Sequence, residues 1–67
     1  MVYKKITLIG RSDEGFDEAA DDAIERAHRT LENVCWVEVE ELGVEIAGID
    51  DGHEYQAEVE VAFELED

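Results

Sequence analysis

From Tyr55 to Leu65 the chain alternates without interruption. Tyr55, Ala57, Val59, Val61, Phe63 and Leu65 form one row; Gln56, Glu58, Glu60, Ala62 and Glu64 form the other. Successive side chains leave a strand on opposite sides, so this run predicts a strand with an apolar face and an acidic face. Such a strand needs cover on one side only. Gln56 is the odd residue of the polar row, a neutral amide at the head of carboxylates.

A second long strand is predicted from Asn33 to Ile46, NVCWVEVEELGVEI. Cys35, Val37 and Val39 form an apolar set suited to a core. Trp36, Glu38 and Glu40 point the other way. Gly43 interrupts the pattern between Leu42 and Val44, which predicts a bulge or bend there. The tryptophan is the only one in the chain. Indole gains by leaving water, so its place among carboxylates needs a reason. Two reasons compete: a subunit contact, or a flat ligand stacked on the ring.

Cover for the apolar faces comes from Phe16 to Leu31. Phe16, Ala19, Ala20, Ala23, Ile24, Ala27 and Leu31 follow helical spacing. The alanines make this stripe shallow, so a sheet can approach closely. Asp17, Glu18, Asp21, Asp22 and Glu25 make the other face acidic, and Arg26 and Arg29 complement the dipole near the end. Glu25 and Arg29 form an i,i+4 pair worth roughly 0.3–0.5 kcal/mol. Val2 to Ile9 reads as a first strand, with Lys4 and Lys5 as a solvated edge. Gly10 to Gly15 is the break, with Ser12 as helix N-cap. Its glycine spacing lacks the lysine of a P-loop. Ala47 to Glu54 reads as a turn with Asp51-Gly52 at its tip. His53-Glu54 does not begin a zinc-protease motif, because Ala57 stands where the second histidine would be.

A chain of 67 residues is marginal by itself. One cysteine forms no internal disulfide, and no zinc-type spacing occurs, which leaves oligomerisation as the stabilising device. Asp and Glu number 20 against 5 Lys and Arg, for a net charge of -15. Such a surface repels phosphate backbones and anionic bilayers, so neither nucleic acid nor membrane is an expected partner. The acidity fits solubility, or life in high salt. Disorder does not fit, because 45% of residues are hydrophobic and fall in periodic segments. No apolar run is long enough for a membrane span, and the expected location is the cytoplasm.

The order strand, helix, strand, strand predicts an α+β fold. A hairpin makes the last two strands antiparallel, and the helix returns the chain so that the second strand runs parallel to the first. A three-stranded antiparallel sheet then takes the order 1-3-2. The helix covers one face. Trp36 and Gln56 share the uncovered one. The long strand spans about 40 Å at roughly 3.3 Å per residue, against about 24 Å for the helix. The hairpin should therefore project beyond the helix toward neighbouring subunits.

Taken together, VYKKITLIGRS, the helix around AADDAIERA, NVCWVEVEELGVEI and YQAEVEVAFEL resemble the dodecin family, in order and over essentially the whole chain. The resemblance implies a single dodecin-like domain over residues 1–67, a β-α-β-β subunit whose sheet wraps around one helix. It further implies a hollow homododecamer that binds flavins in pairs, in pockets on two-fold axes between subunits. Trp36 matches the tryptophan that stacks on the isoalloxazine. Gln56 matches the glutamine that hydrogen-bonds the pyrimidine edge. Glu41 and Glu45 lie where some relatives place acidic side chains near the ribityl chain, bound ions or shell channels. The family divides between riboflavin and FMN, and the acidity here favours riboflavin. Some relatives bind coenzyme A through basic residues, which the FELED ending lacks.

The resulting expectation is a flavin storage and sequestration protein that quenches flavin photochemistry, not an enzyme. No general base, nucleophile or metal trio stands near Trp36. A flavin-dependent redox enzyme and a structural shell without ligand are the alternatives. Turnover with a hydride donor would mark the first; a colourless purified assembly would mark the second.

Overall fold

The computed structural model describes residues 1–46 and 52–66. Strand β3 (Glu54–Glu64) is the centre of the sheet. It is flanked by β1 (Tyr3–Ser12) and β2 (Val34–Glu45), both antiparallel to it. The helix α1 (Phe16–Thr30) joins β1 to β2. The architecture is therefore α+β with strand order 1-3-2, as the alternation and the hairpin geometry require. The expected hairpin tip at Asp51-Gly52 falls partly outside the described residues.

The core is narrow because the helix approaches closely. Ala19, Ala23 and Ala27 on the helix pack on Ala57, Val59 and Val61 of β3, and all six are buried. Ile6, Leu8, Ala20, Leu31, Val34, Val37 and Tyr55 surround them. Gly10 makes this approach geometrically feasible. A Cβ there would fall on the Ala19 carbonyl oxygen and lie 2.7 Å from the Ala23 nitrogen. Methyl-sized helix residues and a side-chain-free strand residue together set the distance between layers.

Several local expectations need correction. Ser12 does not cap the helix. It pairs with Tyr55 at the end of β1, and its Oγ accepts the Glu14 N–H at 3.0 Å. The ladder holds Ser12 in the sheet, so the cap position passes to Gly15, which has no side-chain bond to offer. The Glu25–Arg29 pair forms, at 3.5 Å. At the other end Leu31 N–H bonds Ala27 O, and Asn33 turns the chain with φ 62°.

The irregularities of β2 lie elsewhere than Gly43. Register shifts fall between Val34 and Trp36 and between Val39 and Glu41. Cys35 and Glu40 are the extra residues. Cys35 is therefore exposed and outside the core, its thiol 3.3 Å from the Asn33 carbonyl. The second shift lets Val39 and Leu42 share the helix side despite odd spacing, and sends Glu41 to the opposite face. Even so, Val39 is 53% exposed, because the helix lies over β1 and β3 and barely reaches β2.

The molecule measures 48 × 19 × 18 Å. The 15-residue helix is about 22 Å long, so the sheet extends well past it. Val39, Leu42 and Val44 are exposed on the helix side of β2, and Ile46 just past the end of the strand is exposed as well. The uncovered apolar surface is thus larger than the helix-free face alone.

Candidate functional site

The helix-free face is built from alternate residues of three strands. The register places Lys5 and Trp36 on either side of Ala62, Thr7 and Glu38 beside Glu60, Ile9 and Glu41 beside Glu58, and Arg11 and Gly43 beside Gln56. Trp36 and Gln56 therefore do share this face. They do not share a location on it. Between Gln56 and Ala62 the central strand rises about 20 Å at roughly 3.3 Å per residue. A three-ring ligand stacked on Trp36 cannot reach Gln56 of the same chain.

At the Trp36 end the indole is 40% exposed. The Tyr3 ring meets it edge to face, with centroids 5.0 Å apart and planes at 62°. Nε1 donates to Glu38 Oε2 at 2.8 Å, and Lys5 Nζ donates to the same oxygen at 2.9 Å. The Lys5 ammonium, and then the indole N–H, hold the Glu38 carboxyl below the usual carboxylate range. Glu38 in turn raises the ammonium of Lys5. Lys5 is thus paired rather than simply solvated.

At the Gln56 end Ile9, Glu41, Leu42, Gly43, Gln56 and Glu58 line an open hollow of about 170 Å³. Gln56 Nε2 donates to Glu45 Oε1 at 3.1 Å. Arg11 donates to that same oxygen through one nitrogen and pairs with Glu54 through Nε at 2.7 Å. The amide oxygen of Gln56 lies on the Gly43 side. Of the expected site residues, Gln56, Glu41 and Glu45 thus gather at one end, while Trp36 stands alone at the other.

Tyr3, Lys5, Arg11 and Glu38 complete the two ends and were not picked out from the sequence. Arg11 could have been found by running β1 two residues beyond Gly10, which sets it opposite Gln56. Among the described residues no group of three or more His, Cys, Asp or Glu side chains is arranged to hold a metal ion. No helix among them is long and apolar enough to cross a membrane.

The two ends thus offer a half-exposed indole face and an amide beside a shallow hollow. Comparison with known proteins places the chain in a family. The sequence model of the Dodecin family matches residues 2–66. A curated dodecin of Thermus thermophilus is 44% identical over 98% of this chain and 94% of its own length. A crystal structure of a point mutant of T. thermophilus dodecin superposes with TM-score 0.86 at 43% identity, covering 98% of this chain and 97% of that one. The calcium dodecin of Mycobacterium tuberculosis, described as calcium-chelating, superposes with TM-score 0.82 at 28% identity, over 98% and 93% of the two chains. Strand order, helix placement and sequence agree along nearly the whole length, and the chain belongs to the dodecin family.

Proposed function

We propose that this protein stores and sequesters flavin. Riboflavin, or less favourably FMN, lies flat on Trp36 in pockets between subunits of a hollow homododecamer. The observation that carries this reading is the separation of Trp36 and Gln56 by about 20 Å on one face. Each end is half of a site. A two-fold axis brings the indole of one copy against the amide of another, and gives two equivalent sites.

Each residue has a definite task. Trp36 supplies a flat, electron-rich surface. Gln56 offers its carboxamide to an imide-like edge, with Glu45 holding the amide nitrogen. Glu41 stands beside Gln56 at the hollow, within reach of a polyol chain. The dense carboxylate face disfavours a phosphorylated ligand, which sets riboflavin ahead of FMN. A flavin held there would absorb light, and Trp36 would be the residue able to lend it an electron and take it back, so that the energy would leave as heat.

Family membership supports a binding protein, since dodecins bind small ligands. Riboflavin fluorescence tests the reading. Titration with the protein should quench emission to a saturating plateau, and Trp36→Ala should bind more weakly and quench less. Full emission at excess protein would overturn it, as would a Trp36→Ala variant that binds like the parent.

A further inference from the structure

Ala62 interrupts the acidic row of β3 and is fully buried, although it lies on the helix-free face. Its cross-strand neighbours are Lys5 on one side and Trp36 on the other. Over a floor only one methyl high, the two long side chains converge across the central strand. They meet at Glu38 Oε2, which accepts from Trp36 Nε1 at 2.8 Å and Lys5 Nζ at 2.9 Å. Tyr3 stands against the ring at 5.0 Å.

We propose that Glu38, held by Lys5, is a positioning residue that fixes the plane of Trp36 so that a planar ligand stacks on a ring already in place. The inference rests on Trp36 being the stacking surface. A free indole on an edge strand turns about two bonds and must be immobilised on binding, which weakens affinity. One hydrogen bond at the ring edge and one aromatic against it remove that freedom beforehand. An ionised acceptor makes the bond stronger than a neutral one. Lys5 favours the ionised form of Glu38 further into acid, and it does so amid other carboxylates: Glu60 on β3 and Glu40 on β2 also act on the same ammonium. Without Lys5, Glu38 would sit among like charges and protonate more readily.

The sole tryptophan gives one indole N–H resonance, readable in the ligand-free protein. In the wild type this resonance should hold a hydrogen-bonded position at neutral pH and move as Glu38 protonates at acid pH. Glu38→Gln should displace it and abolish the acid titration. It should also weaken riboflavin binding by roughly tenfold, the scale of one lost charge-assisted bond. Lys5→Gln should leave the resonance near its place at neutral pH and shift its titration upward. An unmoved resonance in Glu38→Gln overturns the anchor. A displaced resonance with unchanged riboflavin affinity overturns its role in binding. A wild type that does not bind riboflavin overturns the reading of the site instead, while the resonance still decides whether Glu38 holds the ring.

Discussion

Trp36 keeps 40% of its surface in water while Ala62 beside it is fully covered. That contrast locates the cost and the use of the indole in one place. Stacking a planar ring on an aromatic side chain is worth about 1–3 kcal/mol by alanine substitution. Trp36→Ala should therefore raise the riboflavin dissociation constant by roughly 10- to 100-fold, measured by equilibrium titration. The Lys5–Glu38 pair makes a pH prediction. The Glu38 carboxyl is depressed in the folded protein, so its contribution is complete above the ordinary carboxylate range. It is lost as pH falls through the folded value, beneath the ordinary carboxylate range. Lys5 is raised, so its contribution is complete below the ordinary lysine range and lost as pH rises through the folded value. Melting of the wild type and Glu38→Gln across acid pH should converge as the pH falls. Both groups are exposed, so the difference is small at any pH.

At the scale of elements, the alternation of Tyr55–Leu65 and the alanine stripe were legible because each obeys one period over many residues. Together with the hairpin between the last two strands, those patterns led to the strand order. The faults of β2 were not legible. Cys35 and Glu40 are the extra residues of register shifts, and a shift is set by what the partner strand offers. Read as a plain alternation, Cys35 and Val39 belonged to the core; in the fold both are exposed. The end of β1 was misplaced for a similar reason: Gly10 looked like a break, yet it is where the helix backbone meets the sheet. Gly10→Ala tests that contact directly. The added methyl meets helix backbone, which cannot swing aside, so the variant should lose about 1–3 kcal/mol. Urea unfolding at fixed protein concentration should show a lower midpoint with the slope unchanged.

For the whole molecule, charge and shape act in opposite directions. A net charge of -15 on 67 residues opposes every subunit contact through self-repulsion. The exposed apolar strip of Val39, Leu42, Val44 and Ile46 favours such contacts. Salt weakens only the first, so the assembly should melt at higher temperature as ionic strength rises. A melting temperature independent of salt would contradict this balance. That Trp36 and Gln56 share a face was legible from alternation. That they lie at opposite ends of it was not, because their separation depends on the register of both edge strands with β3.

This separation also supplies the most direct test of the account. Trp36→Ala and Gln56→Ala chains, unfolded together and refolded as a mixture, form assemblies in which some sites combine the intact indole of one copy with the intact amide of another. Each variant alone should bind riboflavin poorly, and the mixture should recover about a quarter of the wild-type capacity, as random pairing of two unlike halves requires. A mixed assembly of wild-type size that binds no better than either variant would show that the two residues do not form one site across copies.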